Sequence, residues 1–350
     1  MLLKKNNILI IISLIIFIFI LGYIINNQQE GVVFNSSAYK KIYKDNNIKY
    51  NHKKKYIEQC NNGNCKRIYT YYTSNNRASC DISNNKALTS KILQLNNIPV
   101  PKFIYILKRK NISDKLLKHI YETEISNSQL KYPLVIKPVD GSQGNGVITN
   151  IKNKNSLDKE FDKLSKKYNK IIIEEMVSGE DYRVLCVNGK VIDVIIRDSI
   201  YVVGNGKDTI NELIHKRNTK NLKIKHKPTI NINWDLIEEQ GYKDQDIIPN
   251  GKKITISNTR NYHNGSILER VHLKSIHPDN INIIEKACKI IDLKIAGVDF
   301  ISSDISKSYK EGNGHIIEIN SNPFLKMHKY PNGNKSKTIY KDFFNKLFES

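Results

Sequence analysis

Apolar and polar residues alternate in two short stretches near the end of the chain. In Gly297-Val298-Asp299-Phe300, Asp299 faces away from Val298 and Phe300. In His315-Ile316-Ile317-Glu318-Ile319-Asn320, Ile317 and Ile319 point one way while Glu318 and Asn320 point the other. A period of two marks a half-buried strand. If the two strands pair, Asp299, Glu318 and Asn320 bring three oxygen-bearing side chains to one face. Hard oxygen donors of this kind suit Mg²⁺, which takes one or two carboxylates and fills its shell with water and substrate phosphates. The alternative is a pair of ordinary solvent-facing strands.

The rest of the pattern predicts further elements. Ile8 to Ile25 is almost unbroken apolar sequence, interrupted mildly by Ser13, Gly22 and Tyr23. A helix of that length just spans a hydrocarbon core of about 30 Å. The run is longer than a usual signal core and no small-x-small cleavage site follows Gly22, so it predicts an uncleaved transmembrane anchor over residues 1–26. Residues 27–84 are polar, rich in Asn, Lys and Tyr, and weakly periodic. They read as a stalk or a small irregular subdomain. From Asn85 the pattern sharpens. Ala87, Leu88, Lys91, Ile92 and Leu93 predict a helix ending near Asn96. Strands are expected at Tyr132 to Pro138 and at Ile171 to Glu174. Tyr182 to Val187 and Val191 to Ile196 flank Asn188-Gly189, a strong hairpin signal. Asp279 is placed to cap a helix from Ile281 to about Asp292, whose Ile283, Ile284, Ala287, Cys288 and Ile291 fall at helical spacing. No internal repeat is evident.

Composition changes this picture little. The chain's 350 residues allow a membrane segment plus one large or two small domains. A net charge of +22 raises nucleic acid, an anionic membrane or an acidic substrate as partners. Lys, Ile and Asn are over-used together, even in loops such as Lys152-Asn153-Lys154-Asn155, a pattern of codon bias in an AT-rich genome. The lysines are scattered and no recognition helix, zinc finger or aromatic-interleaved basic patch is present, so no nucleic-acid partner is expected. Of five cysteines, Cys60 and Cys65 are spaced for either a zinc pair or a small disulfide loop. Cys186 and Cys288 lie among apolar neighbours and read as buried free thiols.

Candidate chemistry begins at Asp140-Gly141-Ser142-Gln143-Gly144-Asn145-Gly146. Its glycines let backbone amides approach phosphate oxygens. No Gly-Lys-Ser/Thr follows, so this is not a Walker A loop, and the spacing is not that of a Rossmann fingerprint. Lys137 stands just ahead of the loop, where a cation can neutralise phosphate charge. Glu174-Glu175-Met176-Val177 ends a strand, which offers backbone groups to an adenine edge, and Asp181 can accept from ribose hydroxyls. Arg183 and Arg197 can stabilise developing phosphoryl charge. An ideal two-residue hairpin puts Arg183 and Arg197 on opposite faces, so a shared role requires a bulge or a bend.

Taken in order, these pieces resemble the ATP-grasp ligases, and most closely the ATP-grasp domain of cyanophycin synthetase. The resemblance runs from Asn85 to about Tyr330. It is carried by Lys86-Ala87-Leu88-Thr89, Ile98-Pro99-Val100-Pro101, Val135-Ile136-Lys137-Pro138 and the glycine loop. It continues through Glu174 to Arg183, Val202-Val203-Gly204-Asn205-Gly206, His277-Pro278-Asp279-Asn280, Ala296-Gly297-Val298-Asp299, Glu318-Ile319-Asn320 and Lys326-Met327-His328.

The resemblance implies an α+β ATP-grasp fold over residues 85–345, with two subdomains of antiparallel sheet and helices clasping ATP. By position, Lys86 and Lys137 resemble the lysines that hold ATP phosphates, and Gly141, Ser142, Gln143, Gly144 and Gly146 the loop that closes over them. Glu174, Glu175 and Val177 resemble the adenine hinge, Asp181 the ribose carboxylate, and Asp299, Glu318 and Asn320 a site for two Mg²⁺ ions, with Mn²⁺ an alternative. Arg183 and Arg197 resemble residues beside the transferred phosphate. The implied reaction joins an amino acid or peptide carboxylate to an amine through an acyl phosphate. A glutathione-synthetase-like or D-alanine-ligase-like enzyme and a catalytically silent ATP-binding membrane scaffold are the alternatives, and an oligomer is compatible with all three. Lys4 and Lys5 compete with Lys40, Lys41 and Lys44 under the positive-inside rule. Use of ATP therefore decides the expected orientation: a single-pass membrane protein with its catalytic domain on the cytoplasmic side. Three departures stand out: Asn85 where the family usually has Asp, Phe324 where a small residue is expected, and Gln143 with Asn145 in place of more basic loop residues.

Overall fold

The computed structural model describes residues 44, 48–51, 56–61, 64–69, 75–141, 144–223, 232–257, 266–329, 331, 336 and 338–349. They fall into two compact units, residues 1–74 with 322–325, and residues 75–321 with 326–350.

The first unit holds an antiparallel meander of β1 (Ile48–Asn51), β2 (Tyr56–Asn61) and β3 (Asn64–Tyr69). Ile48 and Ile57 are buried. Cys60 and Cys65 lie directly opposite one another and form a disulfide. Of the two readings open from their spacing, the disulfide is the one the structure contains. This meander and the first helix of the second unit occupy the stretch expected as a stalk or irregular subdomain.

The second unit opens with α1 (Arg77–Ser83) and α2 (Lys86–Leu95). Asn76 and Asn85 cap them, each side chain accepting an N–H three residues on. Asn and Asp serve equally well at this position, so the Asn85 departure costs the helix nothing. There follow β4 (Phe103–Leu107), α3 (Asp114–Ser128), β5 (Leu134–Pro138), β6 (Ile148–Ile151), α4 (Lys154–Ser165) and β7 (Lys170–Glu175). The strands form an antiparallel sheet in the order β4-β7-β5-β6. One face packs Ile106, Leu134, Ile136, Ile171 and Ile173 on Leu117, Tyr121, Leu157, Phe161 and Leu164 of the helices. Tyr121 stacks on Phe161 with ring centroids 4.0 Å apart. Strand alternation then sends Lys137 and Glu174 to the opposite face, beside a small cluster of Ala87, Val139 and Ile172.

Next come β8 (Glu180–Val187) and β9 (Lys190–Asp198). Asn188 and Gly189 turn between them with φ of 49° and 67°, as a hairpin turn with two left-handed residues requires. An excursion of β10 (Ile200–Val203), α5 (Ile210–Lys223), α6 (Trp234–Glu239) and β11 (Lys253–Ser257) builds its own core from Ile200, Val202, Ile210, Ile214, Ile237, Ile248, Ile254 and Ile256. The chain returns through β12 (Ile267–Val271), α7 (Pro278–Ile290), β13 (Ile295–Ser302) and β14 (His315–Asn320), and ends in α8 (Leu325–Lys329) and α9 (Ile339–Phe348).

The second sheet is antiparallel in the order β12-β9-β8-β13-β14. Tyr182, Val184, Cys186, Val194, Ala296, Val298, Phe300, Ile316 and Ile319 form one face and pack on Ile283, Ile284, Ala287 and Cys288 of α7. Each large apolar side chain so buried contributes roughly 1.5–3 kcal/mol. The polar residues alternating with them are thereby forced together on the other face.

Two expectations need correction. α7 begins at Pro278, not Ile281, and His277 is its cap, accepting the Asp279 N–H at Nδ1 (3.2 Å). Proline's fixed φ and missing N–H suit the first helical position, which is where Pro278 stands. Asp279 instead accepts from the Ser308 hydroxyl at 2.7 Å. The expected single-pass membrane protein is also not upheld. Among the described residues no helix is long and apolar enough to cross a membrane, and Ile8 to Ile25 lie outside the described residues.

Candidate active site

Strand register assembles the site. Arg270, Ile195, Arg183, Asp299 and Glu318 are successive cross-strand partners and make one row across all five strands. The row on one side holds Arg197 and Asp181, and the row on the other holds Asp193, Gly297 and Asn320. Arg183 and Arg197 share this face only because the β8–β9 register shifts between Leu185 and Cys186. That irregularity is the bulge a shared role requires.

Asp299 is the centre of charge. It is buried, and its Oδ1 accepts from Arg183 Nη1. Its Oδ2 lies 3.0 Å from Arg197 Nη2, which is also 2.7 Å from Asp181 Oδ1. Burial alone would push the Asp299 carboxyl up, but the Arg183 and Arg197 guanidiniums outweigh it and hold the group below the usual carboxylate range. The same two carboxylates overcome the burial of Arg197 and raise its pKa. With its amide oriented as its neighbours require, Asn320 accepts from Arg183 Nη1 at 2.7 Å and donates to Glu318 Oε1 at 3.2 Å.

Lys86 joins this sheet to the glycine loop. Its Nζ donates to the Gly141 carbonyl at 2.5 Å and lies 3.3 Å from Glu318 Oε1. On the four-stranded sheet, Lys137 and Glu174 form a buried ion pair. Gly144 and Gly146 have φ of +78° and +74°, and a Cβ at Gly146 would sit 3.1 Å from Pro138. Ser142 and Gln143 lie outside the described residues. Glu175 is not brought to the site by its side chain, which turns to the other face and accepts the Lys131 N–H at 3.0 Å. Val177 follows the strand end in a half-buried position.

Asp299 and Glu318 are direct cross-strand partners, with Asn320 beside them on the same face. The donor set is all hard oxygen, and Asp299 is ionised. Its chemistry fits Mg²⁺, and the residues present are those a divalent ion needs.

A second cluster on this face was not singled out from the sequence. Arg270 Nε lies 2.9 Å from Asp193 Oδ1, its Nη2 donates to the His328 carbonyl at 2.5 Å, and its Nη1 donates to Ser336 Oγ at 3.0 Å. His328 Nδ1 lies 2.8 Å from Asp193 Oδ2, and the imidazole is fully buried. Burial pushes the His328 pKa down; Asp193 opposes this, while Arg183 and Arg270 reinforce it. The signal in the sequence was Lys326-Met327-His328, quoted for its resemblance but given no role.

The description of the ATP-grasp domain matches residues 83–324. The chain belongs to the ATP-grasp family. Ligases of this family use ATP and a divalent metal. Cyanophycin synthetase of Synechocystis sp. is 33% identical over 280 residues, covering 77% of this chain and 31% of that protein. The glutathione biosynthesis bifunctional protein of Clostridium perfringens is 31% identical over 262 residues, covering 71% of this chain and 32% of that protein. The chain thus spans about a third of the length of these curated relatives. The fold is shared with a bifunctional glutathione synthetase from Pasteurella multocida, with a TM-score of 0.59 at 19% identity over 85% of this chain and 40% of that one. The two antiparallel sheets and their helices are therefore an ATP-grasp α+β fold.

Proposed function

We propose that this ATP-grasp domain, residues 85–345, is an ATP- and Mg²⁺-dependent carboxylate–amine ligase that works through an acyl phosphate. The observation that carries the reading is the sheet face on which Asp299, Glu318 and Asn320 stand beside Arg183 and Arg197, with Lys86 linking Glu318 to the glycine loop.

Lys86 and Lys137 take the ATP phosphates, and the loop from Gly141 to Gly146, with Ser142 and Gln143, covers them with backbone amides. Lys137 exchanges Glu174 for phosphate oxygens, a move that keeps a buried cation paired throughout. The adenine lies along Glu174, Glu175 and Val177, where Glu175 contributes backbone rather than its outward carboxylate. Asp181, one of whose oxygens accepts from Arg197, is the carboxylate that serves the ribose hydroxyls. Asp299, Glu318 and Asn320 would hold Mg²⁺, which when bound offsets phosphate charge. The substrate carboxylate attacks the γ-phosphorus in line, and Arg183 and Arg197 supply fixed positive charge where negative charge develops. An amine then attacks the acyl carbon and phosphate leaves. The relatives' names support an amino acid or peptide as the acid, since one of them serves glutathione biosynthesis.

The test is ADP release with Mg²⁺, ATP and pooled amino acids and dipeptides, run beside Glu318→Ala. Turnover that needs both the pool and Glu318 supports the ligase. ATP binding without turnover in any pool favours a silent ATP-binding protein.

A further inference from the structure

We propose that His328, oriented by Asp193, is the base that removes the proton from the attacking amine in the second half of the ligation. The assignment rests on the ligase reading and adds a residue to the same site. A carboxylate only accepts hydrogen bonds, so Asp193 Oδ2, 2.8 Å from Nδ1, fixes the proton on that nitrogen. Nε2 is left with its lone pair. It is fully buried and makes no hydrogen bond among the described residues. An orphaned buried polar atom is costly and calls for an explanation in a native structure.

Arg183 supplies a second such atom. Its Nη1 is occupied by Asp299, yet its buried Nε has no hydrogen-bond partner among the described residues. Asp193 and Arg183 stand in adjacent rows on one sheet face, and the Arg183 charge acts on the His328 ring. An unsatisfied donor and an unsatisfied acceptor thus belong to one charged cluster on this face, which also carries the oxygen donors of the candidate metal site. The acyl phosphate, being anionic, suits the Arg183 side. The amine, arriving as an ammonium group, suits Nε2.

The step balances. One ammonium proton passes to His328 Nε2, the freed lone pair forms the C–N bond, and the acyl C–O bond breaks with phosphate leaving and taking the second N–H proton from the nitrogen. His328 then returns the first proton to solvent. Burial and the Arg183 and Arg270 charges keep the resting imidazole neutral, and Asp193 offsets the charge as it forms. Arg270 fixes the pair, bonding Asp193, the His328 carbonyl and Ser336 together.

The competing role is a structural clamp that ties His328 and Ser336 to the sheet. Hydroxylamine separates the two, because it is neutral at pH 7 and traps acyl phosphates as hydroxamates without needing a base first. Wild type, His328→Asn and His328→Gln are assayed with Mg²⁺, ATP and pooled amino acids and dipeptides, with and without hydroxylamine. His328→Asn keeps a donor toward Asp193 and deletes Nε2. The expected result is hydroxamate formation within about threefold of wild type, with amide formation down roughly 10²–10⁴-fold, the usual worth of a general base. Such a split in either variant supports the assignment. Equal losses of both products in both variants, or amide formation unchanged, overturn it. No hydroxamate from the wild-type protein removes the ligase reading itself.

Discussion

Replacing Asp299 with Asn removes one negative charge from between two buried guanidiniums and changes almost no volume. In the wild type, Asp299 pairs with both Arg183 and Arg197, and all three are about nine-tenths buried. After the change, Asp181 is the remaining carboxylate within ion-pair distance of either arginine among the described residues. Breaking a buried pair from one side typically costs about 3–5 kcal/mol, because the partner charge stays buried without compensation. For a unit of this size, roughly 2–4 °C of melting temperature per kcal/mol gives a fall of about 6–20 °C. Thermal unfolding at pH 7, followed by circular dichroism, reads this directly. The same pair sets a pH dependence. The folded Asp299 titrates below its unfolded value of about 3.9, so its stabilisation is complete above that value and is lost as pH falls toward the folded one. Asp299→Asn should therefore flatten the stability loss between about pH 5 and pH 2. A melting temperature within 2 °C of wild type would refute the reasoning, since it would mean the arginines are solvated rather than held by this carboxylate.

Other perturbations follow from the same geometry. Lys86→Met removes a charge-assisted contact to the loop and to Glu318, and should weaken ATP binding by about 10–100-fold in a calorimetric titration; an unchanged Kd would remove Lys86 from the nucleotide site. Gly179→Ala should cost about 1–3 kcal/mol in urea unfolding, because φ is +145° and the new Cβ would lie 2.6 Å from the Ser302 carbonyl; a cost below about 0.5 kcal/mol would show that the turn relaxes freely. Alkylation of the native protein should leave Cys186 and Cys288 unmodified, since both are fully buried and the Cys288 contact and burial push the Cys186 thiol up; Cys60 and Cys65 should react only after reduction, and labelling of either pair in the native, oxidised protein counts against the packing described.

Local pattern carried much of this structure. The shared face of Asp299, Glu318 and Asn320 was legible because the other face is apolar, but strict alternation was not kept: the β13–β14 register shifts between Asp299 and Phe300, so Ile316 rather than Ile317 joins Ile319 in the core. Asn188-Gly189 was legible because left-handed turns restrict residue choice so strongly. The shift between Leu185 and Cys186 was deducible only as a requirement, since the sequence does not mark which residue is extra. Asp193, Arg270 and His328 were not legible together. They meet through strand order and a returning C-terminal segment, and Lys326-Met327-His328 marked only one of the three. The start of α7 was placed late because Asp279 is a good capping residue, whereas His277 is the cap and Pro278 takes the first helical position. The ion pairs Lys137–Glu174 and Asp181–Arg197 were also beyond local pattern, because residues assigned to a ligand turn out to hold one another in its absence.

The central claim is that a carboxylate is activated by phosphoryl transfer at this site. Amino acids and dipeptides labelled with ¹⁸O in the carboxyl group, incubated with the protein, ATP and Mg²⁺, test it by mass spectrometry of the released phosphate. Transfer of a single ¹⁸O to phosphate for each amide formed is the expected result. Amide or ADP formed with unlabelled phosphate would contradict an acyl phosphate and with it the reaction assigned here.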